Sequence, residues 1–352
     1  MMKRILLTAS LIALFVYSCS LFENDAPDPY AGNPFLKGNG AFVINEGNFM
    51  AGNGSLSYFS NDSVRIFNNL FTSANGRPLG DIPYSMVIHD DKIYIIINNS
   101  GKIEIADLHD MQSLGTIKEL NSPRNMLIIN QDKAYVTSLF SNDVTIINLR
   151  TNEVSGKINI RRSSEAMVMW GNNAYISCWS SGREVMIVNT LTDRVIDSVE
   201  VGSEPESMVL DKEKRLWVLC TGGYAGQYFP ELLSINTSTG KVEKRFTFSS
   251  KTLYPSSLAI NPTGDTLYYI GGSIWKMSIK ASVLPANPFV RAKGRLFYKI
   301  GVEPGTNRIF ATNAVDYQQK GYLLRYNSGG ILIDSAKADI IPGSICFKTG
   351  LK

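Results

Sequence analysis

The sequence predicts an all-β fold, a seven-bladed β-propeller of four-stranded antiparallel blades whose ring is closed by an inner strand from the C-terminus. Three observations predict it. A unit of about 40 residues repeats along the chain. Each unit divides into four short runs rich in β-branched and aromatic residues, with turn residues between them. The last inner-strand signature, IPGSICF from Ile341, stands alone near the C-terminus, while the first strand-like run, GAFVINEGNF from Gly40, has the pattern of a second strand.

The repeat is clearest between SPRNMLIINQDKAYVTSLFSNDVTIINLRTNEVSGKINI, from Ser122, and SSEAMVMWGNNAYISCWSSGREVMIVNTLTDRVIDSVEV, from Ser163. First strands begin near Pro83, Pro123, Ser164, Pro205, Pro255, Phe297 and Pro342, which makes seven. The step from Pro83 to Pro123 is 40 residues and that from Pro205 to Pro255 is 50, so the fifth unit carries an insertion. GAFVIN aligns with KIYIII and KAYVTS, so the inner strand missing from the first blade comes from the C-terminus. Closure by both ends removes a free sheet edge. The Asn of VTIINLRTNEV, VMIVNTLTDRV and LLSINTSTGKV recurs at one place and reads as a structural turn residue, expected to tolerate left-handed backbone.

The N-terminus reads differently. Lys3 and Arg4 precede an apolar run, Ile5 to Tyr17, that is shorter than the ~20 residues a spanning helix needs. This is the pattern of a secretory signal over residues 1–18. Val16-Tyr17-Ser18-Cys19 resembles the lipobox of bacterial lipoproteins, which implies that Cys19 is the lipid attachment site. Residues 19–39 are rich in Pro, Gly, Asn and Asp without periodicity and read as a flexible tether. Glu23, Asp25 and Asp28 in it resemble the acidic export tags of surface lipoproteins in some gut anaerobes. The propeller then occupies residues 40–352. The other cysteines, Cys178, Cys220 and Cys346, form no CxxC pair and lie in apolar runs, so buried thiols are expected. The formal net charge is +4, with basic and acidic residues interspersed, and nothing in it demands a polyanionic partner.

Topology selects a face. In a four-stranded antiparallel blade, the lead-in to the first strand and the loop joining the second strand to the third lie on one side of the ring. The opposite face carries plain polar turns such as HDDK (89–92) and NQDK (130–133). The second-to-third loops instead bring aromatic residues: Phe49, Phe140, Trp179, Tyr224, Tyr228, Phe229 and Tyr317. No core needs rings on loops, and clusters of them mark contact surfaces, although some of the rings are expected to fold down onto the blade edges. Nearer the axis, the lead-ins place Tyr84, Arg124, Glu165, Glu206 and Ser256 around the channel mouth, with Gly343 closing the circle. Arg124 reads equally as a structural charge partner or as a ligand group. Asn45, Glu46 and Asn48 join the same face, and Asn98, Asn99, Asn142, Asn313 and Gln318 add further amides. An aromatic rim around a polar mouth suits a large, amide-rich, weakly charged ligand.

Catalytic and metal readings have less behind them. His89 and His109 are the two histidines, one in a turn on the wrong face and one at the blade periphery, so they share no site. A histidine-based triad or metal centre is not expected. Glu46, Glu165 and Glu206 could share the mouth, which keeps open a propeller enzyme of lactonase or lyase type. Exposed rings could also stack bases, but a basic groove is missing and no nucleic-acid partner is expected.

The repeat from Gly40 onward resembles YncE-like and surface-layer-type propellers. That resemblance implies a fold rather than a function, because propellers host binders, enzymes and scaffolds alike. The lipobox, the propeller and the aromatic face together resemble the BtuG-type surface lipoproteins. This second resemblance implies a cell-surface, outer-membrane lipoprotein that captures cobalamin and docks on a TonB-dependent transporter. It would meet the membrane through its lipid anchor alone and would need no cofactor beyond the corrinoid it carries.

Overall fold

The computed structural model describes residues 32–33 and 36–349. The signal segment, Cys19 and most of the segment 19–39 lie outside the described residues. Seven antiparallel sheets follow one another around the ring. Blade 1 is built from Pro342–Lys348, Gly40–Asn45, Ser55–Ser60 and Arg65–Phe67, so the C-terminal strand is innermost as the repeat predicts. Cys346 pairs with Phe42, and Ile345 with Val43. Blade 2 runs from Pro83 to Ile117, blade 3 from Pro123 to Asn159, blade 4 from Met167 to Glu200 and blade 5 from Pro205 to Thr247. Blade 6 spans Ser256–Ser278 and blade 7 Phe297–Ile340.

Blade 6 departs from the expected four strands and has three. The chain that should form the fourth carries Pro285 and Pro288, which cannot donate to a ladder. A single bridge between Ile274 and Val290 takes its place.

The core lies in the seams. Seven hydrophobic clusters occupy the seven contacts between neighbouring blades. Successive residues of a strand point to opposite faces, so the buried middle strands serve two seams at once. Tyr94 and Ile96 face blade 3, whereas Ile93, Ile95 and Ile97 face blade 1. The seam between blades 1 and 2 also buries the short helix Leu70–Asn75 through Leu70 and Phe71. It buries Leu36 as well, so ordered packing begins ahead of Gly40. The Lys348 ammonium donates to the carbonyls of Leu36 and Gly38, tying the two ends of the ring together.

Cys178 and Cys220 are buried, and Cys346 is partly buried against the seam between blades 1 and 2. Burial pushes the Cys178 and Cys346 thiols up to about 12. The repeated turn asparagines work differently from expectation. Asn148, Asn189 and Asn236 each accept, through the side-chain oxygen, the backbone N–H groups two and three residues ahead. The left-handed residue of each turn is the later Asn152, Asp193 or Gly240. The asparagine is thus an Asx-turn acceptor, and its neighbour bears the unusual backbone.

One device aims the inner strands. Ile82, Ser122, Glu204 and Ile341, each just before a proline, have φ between 42° and 55°. Their carbonyls accept from the first residues of the second-to-third loops: Asn98, Leu139, Thr221 and Glu46, at 2.8 to 3.0 Å. Left-handed backbone is costly for β-branched Ile82 and Ile341. Its repetition fixes each lead-in against its own loop, and this sets the shape of the channel mouth.

Candidate functional site

The inner strands keep one register around the ring. The residues after the lead position are Tyr84, Arg124, Glu165, Glu206, Ser256, Tyr298 and Gly343. The next set is Ser85, Asn125, Ala166, Ser207, Ser257, Lys299 and Ser344. Six of that second set are small, and Lys299 is the exception.

These residues form two linked charge pairs. The Arg124 guanidinium donates to Glu165 at 2.6 and 3.2 Å, and the Tyr84 hydroxyl donates to the same carboxylate at 2.6 Å. Asn125 donates to the Glu165 carbonyl at 3.1 Å. Glu165 is only 2% exposed. Across the mouth, Lys299 donates to Glu206 at 2.9 Å, and the Ser257 N–H donates to the other carboxylate oxygen at 2.9 Å. Burial alone would raise the Glu206 pKa, but Lys299 and these hydrogen bonds hold it below the usual carboxylate range. Burial would lower the Lys299 ammonium, but Glu206 outweighs it and raises it.

Glu46 joins from blade 1. It accepts from the Tyr298 hydroxyl at 2.9 Å. Gly343 makes room for it, since a Cβ there would stand 2.9 Å from a Glu46 oxygen. Burial raises the Glu46 pKa, and Tyr298, Lys299 and Arg124 only partly offset this. The three carboxylates therefore do share the mouth, each with its own partner. Glu165, Glu206 and Lys299, with Tyr84, line a cavity of about 270 Å³ together with Ser85, Asn125, Ser207, Ser257, Met126, Met167 and Met208.

The rim residues divide into two groups. Tyr224 (83% exposed), Phe140 (71%) and Phe49 (69%) stand free of the fold, and Tyr228, Phe229 and Tyr317 are exposed to a lesser degree. Arg183 lies over the Tyr228 ring at 5.0 Å and Lys251 over Phe229 at 5.2 Å. Trp179 instead folds inward. Its ring lies 5.5 Å from the Arg124 guanidinium, which also stacks on Tyr84 at 3.5 Å. The Trp179 indole N–H is buried with no hydrogen-bond partner among the described residues.

Left-handed backbone occurs in four of the rim loops, as it does at Asp90 and Lys214 in the turns of the opposite face. Met50, Ser180, Ser181, Ala225, Val315 and Tyr317 all have positive φ. Such residues cost about 1–3 kcal/mol each.

Several expected amides are spent elsewhere. Asn45 is fully buried, donates to Ser55 and Ser57, accepts from the Asp339 N–H and does not face the mouth. Its place at the end of a middle strand turns it into the blade. Asn48 donates to the Tyr317 carbonyl at 2.9 Å and ties blade 1 to blade 7. Asn98 donates to the Pro123 carbonyl, and Asn313 accepts from the Leu296 and Val315 N–H groups. His89 contacts the Gln131 carbonyl at 3.4 Å, and His109 lies beside Asp107 and Asp91. Among the described residues no three His, Cys, Asp or Glu side chains converge on a metal position.

Sequence reasoning missed Tyr298, Lys299 and Tyr254. Phe297 stands where the other blades carry the marker proline, so the sequence gives RLFYKI no sharp start; aligned on Phe297, Tyr298 falls level with Tyr84. Tyr254, half exposed, precedes Pro255 on the same face.

Residues 39–339 match the family described as Domain of unknown function (DUF5074), and the chain belongs to that family. No curated protein matches it. Among solved structures it is similar to a quinonprotein alcohol dehydrogenase-like protein from Bacteroides thetaiotaomicron. The identity is 13%, the TM-score 0.68, and the match covers 89% of this chain and 78% of that one. A functionally unknown protein from Desulfotomaculum acetoxidans gives 12% and 0.65, with 88% and 98% covered. Hydrazine synthase from Kuenenia stuttgartiensis gives 11% and 0.58, with 74% and 88% covered. At these identities the likeness shows a shared fold.

Proposed function

We propose that this DUF5074 propeller is a binding protein that holds a large, amide-rich ligand across its loop face, with a corrinoid as the best match in chemistry. The observation that carries the reading is the Trp179–Arg124–Tyr84 stack, topped by an unpartnered indole N–H. A buried donor without an acceptor is costly, and an amide carbonyl from a ligand would satisfy it. Phe49, Phe140, Tyr224 and Tyr228 supply apolar area around it. A flat ring fringed with amides matches both features. The mouth cavity, about 270 Å³, lies at the low end of the range for drug-sized ligands, so a ligand as large as a corrinoid would rest mainly on the face. The lipobox-like segment at Cys19 supports a lipid-anchored placement at the outer membrane. In that setting the natural partner is a TonB-dependent transporter that receives the ligand.

A second reading draws on Glu46. A buried carboxyl with a raised pKa, hydrogen-bonded to Tyr298, has the character of a general acid, as a propeller lactonase or lyase would need. Turnover of a lactone or a uronate-containing glycan by the protein, abolished in Glu46→Gln, would establish it.

The test of the first reading is calorimetric titration of the purified protein with cyanocobalamin. Binding is expected, and Trp179→Ala and Tyr228→Ala weaken it while His89→Ala leaves it unchanged. Absence of binding at micromolar concentration rejects the corrinoid.

A further inference from the structure

The strand missing from blade 6 leaves a second, unrelated feature at the outer edge of the ring. The segment 280–296 that replaces it contains Lys280, Arg291, Lys293 and Arg295 and no acidic residue. It passes beside the third-to-fourth turn of blade 7 and encloses a pocket of about 480 Å³. Arg291, Lys293 and Arg295 line it. No ion pair engages any of the three among the described residues. Phe289, Ile331 and Leu332 line it as well, and Ile331 is 68% exposed. Gly330, at φ 83°, allows the turn to approach Phe289, whose ring carbon would be 3.0 Å from a Cβ. Phe289 is itself fixed edge-on against Tyr268 at 5.7 Å.

The deciding atom is the Tyr326 hydroxyl. Tyr326 is 2% exposed and lines this pocket, and its hydroxyl has no hydrogen-bond partner among the described residues. Arg295 lines the same pocket; burial raises the Tyr326 pKa, and the Arg295 charge acts on it in the opposite sense. Unpaired cations, a buried unmet hydroxyl and an apolar wall together describe a ligand with an acidic head and a hydrocarbon body.

We propose that this pocket binds an acyl-bearing anion. Its phosphate or carboxylate head is held by Arg291, Lys293 and Arg295 and accepts from Tyr326, and its chain lies over Phe289, Ile331 and Leu332. The site is independent of the loop face, so the outcome of the cobalamin titration does not bear on it.

The experiment titrates the protein with monomeric dihexanoylphosphatidic acid, below its micelle concentration, and separately with inorganic phosphate. Saturable binding of the lipid is expected, with phosphate at least about tenfold weaker because burial of the acyl chain adds affinity. Arg295→Ala and Tyr326→Phe each weaken lipid binding by about tenfold. Tyr326→Phe does so without lowering the melting temperature, since it removes an unmet polar group. A second arm pellets the protein with phosphatidylglycerol vesicles. Co-sedimentation that is lost in Arg295→Ala supports the site with a membrane lipid as its source. Lipid binding without co-sedimentation supports it with a soluble acyl anion. The proposal is overturned if dihexanoylphosphatidic acid does not saturate, or if phosphate binds equally well. It is also overturned if Tyr326→Phe lowers the melting temperature and leaves affinity unchanged.

Discussion

The channel mouth and the loop rim lie on the same face and use their side chains in opposite ways. At the mouth each of the five charged groups has a partner inside the protein: Arg124 with Glu165, Lys299 with Glu206, and Glu46 with Tyr298. On the rim Phe49, Phe140 and Tyr224 touch little of the fold, and the loops of Phe49 and Tyr224 hold left-handed backbone at Met50 and Ala225. The mouth's polar chemistry is committed to closing the ring, while the rim's apolar area is left over for something else. Between the two stands the Trp179 N–H, buried like the mouth and unsatisfied like the rim.

Substitutions from the axis outward should therefore lose stability first and ligand binding later. Arg124→Met strands Glu165 in a buried position and should cost about 3–5 kcal/mol in denaturant unfolding. A loss under 1 kcal/mol would mean that the mouth is not the paired network described here.

The carboxylates come next, with opposite signs. Glu206 is held low, so its stabilising contribution is complete above the ordinary carboxylate pKa and is lost as pH falls through its own lower value. Glu46 is raised, so its contribution is present below the ordinary carboxylate pKa and is lost as pH rises through its own higher value. At pH 7, Glu206→Gln should cost roughly 1–3 kcal/mol, whereas Glu46→Gln should stay within about 1 kcal/mol of wild type or be more stable. Melting temperature as a function of pH for the two variants shows whether the signs differ.

Tyr317 bridges the two regions, standing edge-on to Tyr298 at 5.7 Å while its own ring remains partly exposed. Tyr317→Ala should cost about 0.5–1.5 kcal/mol, the scale of one aromatic pair, when unfolding is followed by fluorescence. Phe140→Ser, out on the rim, should change stability by no more than about 0.5 kcal/mol. A large loss there would show that the rim belongs to the core.

The blades were legible from the sequence because proline marks where each inner strand begins and the four-run pattern repeats behind it. Ring closure by Pro342–Lys348 followed from the inner-strand signature IPGSICF and from a first run, GAFVINEGNF, that has the pattern of a second strand. Blade 7 is less legible, because Phe297 sits where proline is expected, and without that marker the sequence does not single out Tyr298 and Lys299. The Arg124–Glu165 pair joins successive blades and was open to the sequence as a structural charge pair, whereas Lys299–Glu206 joins blades 7 and 5, which are not neighbours, and no local pattern encodes that. The same limit applies to Trp179 and Asn45. Both occur in loop-like sequence, yet packing turns the first toward Arg124 and the second into blade 1.

The central claim is that binding belongs to the loop face. Hydrogen–deuterium exchange of the protein with and without cyanocobalamin tests it directly. The account predicts added protection in residues 45–54, 138–143, 178–183 and 221–231, and none in the turns at 89–92, 130–133 and 211–214. Protection confined to those turns, or no change anywhere at saturating cyanocobalamin, would contradict it.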